Sequence, residues 1–208
     1  MSTKEKVAQM LLKAGAVTLR PQEPFVYASG IKSPIYTDNR ILISLPNERK
    51  EIVSAYCEMI KKWKPDVIAG VATAGIPWAA WISAELGLPM IFVRLAAKDH
   101  GKNNQIEGRF KKGDKIVVIE DLVSTGVSTI GVVDAVKQTG GNVLGCAVIF
   151  TYGLKKSVDA FKNAKVELAC LSDFQTLVDV AVKNKYLDSG QKKLVLDWAD
   201  DPDSWGAK

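Results

Sequence analysis

The chain has 208 residues, 47% of them apolar and 25% charged, with a formal net charge of +5. That length fits one domain with a substantial core, and a small positive excess without a long basic run favours a polyanionic small molecule over nucleic acid. No apolar run is long enough to cross a membrane, no signal-peptide core is present, and three unclustered cysteines (Cys57, Cys146, Cys170) give neither a disulfide framework nor a zinc site, so a reducing cytoplasm is expected.

Residues 4–14 carry an apolar stripe of Val7, Met10, Leu11 and Ala14, read as a helix that Gly15 ends. Val17 and Leu19 follow, and then Phe25 to Tyr36 reads as two short strands around a turn. Residues 1–40 stand outside any βαβ rhythm and read as a cap or hood over one end of a sheet. From residue 41 strands and helices alternate. Pro46 sits in the first turn of a helix whose buried face holds Ile52, Val53, Tyr56, Met59, Ile60 and Trp63. Val67 to Val71 is a strand, Pro77 opens a helix that stops at Gly87, and Met90 to Arg94 is the next strand. Residues 98–113 are polar and read as a loop with only Ile106 and Phe110 strongly apolar. A strand ending at Glu120 and Asp121 follows, and a helix from Ser128 or Thr129 runs to Gly140. Strands at Val143 to Phe150 and Leu168 to Leu171 flank a short helix around Phe161, and a helix near Leu177 to Val182 completes a core spanning about residues 41–185. Residues 186–208 hold a last amphipathic helix around Leu194 to Trp198. This alternation predicts an α/β fold, a mostly parallel twisted sheet with helices on both faces, in a single domain.

The stretch Val117-Val118-Ile119-Glu120-Asp121-Leu122-Val123-Ser124-Thr125-Gly126-Val127-Ser128-Thr129 organises the chain. An apolar strand, two acids, a turn of small and hydroxyl residues and a helix N-terminus come in that order. The N–H groups of such a turn form an anion site, strengthened by the helix dipole. The neighbouring carboxylates would repel a phosphate but can accept hydrogen bonds from sugar hydroxyls, so a ribose 5-phosphate would use both halves. Taken singly, the acids can equally end a strand and the hydroxyls cap a helix. No Walker or G-x-G-x-x-G phosphate loop is present. The second informative stretch holds Arg94, Lys98, His100 and Lys102, and His100 is the only histidine. It reads either as a solvated loop or as a cationic loop that closes over a pyrophosphate.

The first stretch resembles the phosphoribosyl pyrophosphate (PRPP) motif of type I phosphoribosyltransferases. The segment Arg94-Leu95-Ala96-Ala97-Lys98-Asp99-His100-Gly101 is similar to the R-x-x-x-K-x-H-G loop of the orotate phosphoribosyltransferases, and Asn104 to Gly108 continue as in many bacterial members. Ser29 to Arg40, Ala72 to Pro77 and Ile149 to Tyr152 resemble further segments of that family. The resemblance implies transfer of a phosphoribosyl group from PRPP to orotate, with Mg2+ carried by the pyrophosphate rather than by a protein metal site. It implies PRPP contacts at Arg94, Lys98, His100, Glu120, Asp121, Leu122, Val123, Ser124, Thr125, Gly126, Val127 and Ser128, with Lys98, His100 and Asp121 catalytic. Orotate would meet Ser124, and Tyr36 either packs on the base or is a core aromatic. The resemblance also implies a homodimer with shared active sites and no nucleic-acid or membrane partner. Four positions that are basic in better-known members hold Ala28, Ala74, Leu95 and Tyr152 here, and Lys32 is a candidate for the replacement charge. A phosphoribosyltransferase for a purine base and a non-catalytic PRPP-sensing regulator remain as alternatives.

Overall fold

The computed structural model describes residues 1–27, 30–95 and 105–205. Helix α1 (Thr3–Lys13) starts at a capping box, in which the Glu5 N–H donates to Ser2 Oγ at 3.2 Å and the Ser2 N–H donates to the Glu5 carboxylate at 2.6 Å. Four short strands follow: β1 (Val17–Leu19), β2 (Phe25–Val26), β3 (Lys32–Ser33) and β4 (Ile35–Thr37). They form two antiparallel ribbons, β2 with β3 and β1 with β4. The hairpin expected within Phe25 to Tyr36 is therefore split, because β4 leaves β3 to pair with β1 in the register Val17↔Thr37. A 3₁₀ turn (Asn39–Ser44) leads into α2 (Pro46–Lys61), which has Pro46 at its start.

The βαβ rhythm then runs through β5 (Val67–Val71), α3 (Gly75–Leu86), β6 (Met90–Val93), β7 (Ile106–Glu107), β8 (Lys115–Val123), α4 (Val127–Gln138), β9 (Asn142–Thr151), α5 (Lys155–Ala164), β10 (Glu167–Asp173), α6 (Phe174–Lys183) and α7 (Lys192–Asp200). The six-stranded sheet has the order β10-β9-β8-β5-β6-β7 and is parallel except for the edge pair β6 with β7. Successive residues of the central strands face opposite layers. Val117, Ile119, Ala147 and Ile149 pack with Leu11, Ile60, Trp78 and Leu177, whereas Val118, Cys146 and Val148 pack with Val132, Val136 and Phe161. Helices thus cover both faces of a mostly parallel sheet, as expected.

Three local expectations are corrected. β8 does not end at the acidic pair but runs through it to Val123, since β9 continues beside it with Leu122↔Phe150 and Val123↔Thr151 in register. α4 begins at Val127 rather than Ser128 or Thr129. Within the polar stretch 98–113, Ile106 and Glu107 form a strand, because the edge of β6 offers them backbone partners at Val93 and Phe92. Helix α1, counted in the cap by its position in the chain, buries Val7, Ala8, Leu11 and Leu12 in the same core layer as α2, α3 and α6.

Candidate active site

A cleft of about 340 Å³ opens where β8 passes into α4, beyond the C-terminal ends of the parallel strands. Ligands of open α/β sheets bind in this position. Its floor and one wall are the run Glu120, Asp121, Leu122, Val123, Ser124, Thr125, Gly126, Val127 and Ser128, so nine of the residues expected to touch PRPP line a single space. The other wall is Ala72, Thr73 and Ala74, with the Ala72–Thr73 peptide bond cis, and Thr37, Asp38, Arg40 and Leu95 complete the rim.

The turn from β8 to α4 is built on Gly126. Its φ of 83° is left-handed, and a Cβ there would sit 3.2 Å from the Phe161 ring, so both conformation and space require glycine. Gly126 is also the N-cap, and no side chain caps α4. The orphan N–H groups of a helix start are therefore not taken by a capping hydroxyl, and the dipole of a twelve-residue helix points its positive end at the cleft. A turn of this kind can hold an anion with backbone N–H groups alone.

The acidic pair is held differently. Glu120 and Asp121 are only 8% and 9% exposed. The Asp121 N–H donates to Glu120 Oε1 at 3.0 Å. Burial, and for Glu120 also the charge on Asp121, pushes both carboxylates above their usual range, while hydrogen bonding to Glu120 and to backbone N–H groups, and last Arg40, pull Asp121 part of the way back. Their backbone is clamped from outside the sheet. The Tyr56 hydroxyl, on α2, donates to the Glu120 carbonyl at 2.6 Å, and Asn39 Nδ2 donates to the Asp121 carbonyl at 2.8 Å. Burial raises the Tyr56 phenol well above its ordinary value and keeps it a neutral donor. β5 pairs with β8 only as far as Gly70↔Ile119, so these two side chains bond the strand where β5 no longer does. No local pattern in the sequence marks Asn39 or Tyr56 for this role, since their partners lie far along the chain.

Two buried carboxylates without a third ligand do not make a protein metal site, and among the described residues no three acidic, histidine or cysteine side chains converge. Mg2+ is commonly held by one or two carboxylates plus substrate phosphates. The pair fits an ion that arrives with a diphosphate.

The other expected residues are placed less simply. Lys98, His100 and Ala28 lie outside the described residues. The Arg94 guanidinium does not line the cleft; it pairs with Glu107 at 3.1 Å and lies over the Phe92 ring. Tyr36 is 44% exposed and packs on Phe25, with its neighbour Thr37, not its own ring, lining the cleft. Lys32 lines a separate groove with Asp197 and Trp205. Tyr152 is buried edge-on against Phe150 and Trp198. Among the described residues Arg40 is thus the one cation at the cleft, and its Nε is paired with Asp38 Oδ1 at 2.7 Å.

Comparison with known proteins shows the family of the chain. The family profile of the phosphoribosyl transferase domain matches residues 45–185. The chain is 50% identical over 204 residues to the orotate phosphoribosyltransferase of Enterococcus faecalis, covering 97% of each chain. Among solved structures, orotate phosphoribosyltransferase from Aeropyrum pernix superposes with a TM-score of 0.73 at 30% identity, over 83% of this chain and 96% of that one. The UMP synthase of Leishmania donovani gives a TM-score of 0.78 at 28% identity over 95% of this chain, which spans 42% of that longer one. With a family profile over residues 45–185 and a relative half identical over nearly the full length of both chains, the chain belongs to the orotate phosphoribosyltransferases of the phosphoribosyltransferase family.

Proposed function

We propose that the chain transfers the 5-phosphoribosyl group from PRPP to orotate, giving orotidine 5′-monophosphate and pyrophosphate, a step of UMP synthesis carried out in the cytoplasm. The observation that carries this reading is the union, in one cleft, of an uncapped helix N-terminus and a buried acidic pair. The turn from Ser124 to Ser128 takes the 5′-phosphate, and Glu120 and Asp121 accept hydrogen bonds from the 2′ and 3′ hydroxyls of the ribose. With both ends of the sugar fixed, C1 is held for in-line attack by the base. Positive charge grows on the sugar as the bond to pyrophosphate breaks, and the two carboxylates face it in a site of low dielectric. Orotate is already an anion, so no strong general base is needed. Mg2+, when bound with the diphosphate, offsets the negative charge of the leaving group. Lys98 and His100 assist the same group by their resemblance to the family loop, and Arg94 joins them on exchanging Glu107 for phosphate oxygens.

Orotate consumption, followed by ultraviolet absorbance with PRPP and Mg2+ added or withheld, tests the reading. Loss of orotate only when both are present is expected. Turnover of adenine, guanine or hypoxanthine in its place would overturn the choice of base, and PRPP binding without any turnover would make the chain a sensor.

The family resemblance further supports a two-fold dimer in which the loop at residues 98–108 serves the neighbouring site. Lys98→Ala and Asp121→Asn subunits, each nearly inactive alone, should regain roughly a quarter of the sites on random exchange, because half the dimers are mixed and one site of each mixed dimer is intact. Activity that stays flat, with exchange shown independently, would rule out the shared site.

A further inference from the structure

Two anions must lie side by side in the proposed reaction, the diphosphate and the carboxylate of the base. The cleft supplies only one cation among the described residues, and that one is paired. A second cavity of about 540 Å³ adjoins the cleft and shares Ser124 and Thr125 with it. Tyr27, Ile31, Leu154 and Trp198 give it apolar walls, the kind of lining that holds a planar ring. Two lysines, Lys155 and Lys156, also face it.

These lysines are not equivalent. Lys156 Nζ pairs with Asp203 Oδ2 at 2.9 Å. Lys155, the first residue of α5, has no carboxylate partner among the described residues. Four aspartates, Asp159, Asp200, Asp201 and Asp203, line the same cavity. Asp203 is neutralised by Lys156, and Asp201 accepts from the Ser204 hydroxyl. The acids outnumber the lysines here, so an anionic ring is held only where its carboxylate meets an ammonium directly, and Lys155 is the lysine of this lining that no carboxylate among the described residues already pairs.

We infer that Lys155 is the group that holds the carboxylate of the acceptor base, across a wall that Ser124, the first residue of the phosphate turn, shares with the cleft. This rests on the function proposed above. Orotate carries its carboxylate on the ring carbon next to the nitrogen that attacks, so a ring placed over the ribose from the Tyr27 side presents that group towards the shared wall. Lys155 is then a specificity-determining residue. It distinguishes orotate from the same ring without a carboxylate, and it does so at the place in the fold where neither Tyr152, buried among aromatics, nor Lys32, in another groove, brings charge.

The test compares two nucleotides that differ only in this carboxylate. Dissociation constants of orotidine 5′-monophosphate and uridine 5′-monophosphate are measured by calorimetry for the wild type, Lys155→Met, Lys155→Arg and Lys156→Met. Lys155→Met should weaken orotidine 5′-monophosphate by roughly ten- to a hundredfold, the range for a charge-assisted hydrogen bond. It should leave uridine 5′-monophosphate within about twofold. Lys155→Arg should restore most of the difference. In turnover, Lys155→Met should raise KM for orotate and leave KM for PRPP unchanged. An unaltered preference for orotidine 5′-monophosphate in Lys155→Met, an equal loss for both nucleotides, or a loss confined to Lys156→Met would each overturn the inference. A wild-type chain that does not turn over orotate at all would instead defeat the proposed function.

Discussion

Gly75, the first residue of α3, lies against the strand that carries the acidic pair. A Cβ built on it would stand 3.2 Å from the Ile119 carbonyl carbon and 3.4 Å from Glu120 Cα, and it would run into the Ile119 carbonyl oxygen. The oxygen is backbone within the central strand, so it cannot rotate away. Gly75→Ala must therefore drive α3 and β8 apart by roughly 1 Å, a misplacement that can cost an enzyme about 10²-fold. Overpacking of this kind destabilises by about 1–3 kcal/mol. The expected variant folds with a lower urea midpoint and loses roughly 10²-fold in kcat/KM, because the carboxylates of Glu120 and Asp121 move with the strand. Gly131→Ala is the matched control. Gly131 lies within α4, and a Cβ there meets nothing within 4 Å. That change should gain about 0.5–1 kcal/mol from helix propensity alone and leave kcat/KM unaltered. A Gly75→Ala enzyme with full activity would show that the close approach is packing only and does not place the acids.

Tyr56→Phe removes the hydroxyl that the Glu120 carbonyl accepts at 2.6 Å and leaves a buried acceptor unpaired; a loss of about 1–3 kcal/mol in equilibrium denaturation is expected, with a raised KM for PRPP, and unchanged values of both would sink the clamp. Glu120 has its pKa raised in the fold, so between the ordinary carboxylate range and that raised value the folded chain keeps a proton that the unfolded chain has released. Stability then falls as pH rises through this window, and Glu120→Gln should remove that dependence: its melting temperature should gain on the wild type's from about pH 5 to about pH 8, and parallel curves would refute the sign. PRPP with Mg2+ should raise the melting temperature before any base is added, by about 2.7 kcal/mol of stability at 100 times its dissociation constant, and no shift at saturation would show that the cleft is not a PRPP site.

The parts legible in the sequence are those whose cause is local. The alternation of apolar strands with helical stripes gave the layered sheet, and the run from Glu120 to Ser128 gave the cleft because its residues are neighbours in the chain. The errors are at places where a distant partner decides. The acids read as the end of a strand, since polar residues usually stop one, yet β9 has ten residues and holds β8 in register to Val123. The helix start read as a serine or threonine cap, whereas a left-handed Gly126 makes the turn and leaves the cap open. β7 has one strongly apolar residue and exists only because the edge of β6 is there. Asn39 and Tyr56 reach the acids across 82 and 64 positions, and Lys155 gains meaning only once α5 is seen beside the phosphate turn.

Those distant partners explain how the cleft tolerates its own charge. Two adjacent acids at 8% and 9% exposure have lost most of their water and repel each other whenever both are ionised, so a free strand end would turn them outward. The bonds from Tyr56 and Asn39 fix the carbonyls of both residues, and the main chain cannot rotate to relieve the pair. The cost shows as the upward pKa shifts of the pair. Ribose hydroxyls relieve part of it, because they replace lost water as donors. A sugar that gains positive charge on the way to the transition state relieves more, and an interaction stronger there than in the ground state is what raises kcat. On this reasoning Glu120→Gln is a more stable protein above the ordinary carboxylate range and a slower enzyme. A variant that is stabilised and equally fast would separate the buried charge from catalysis.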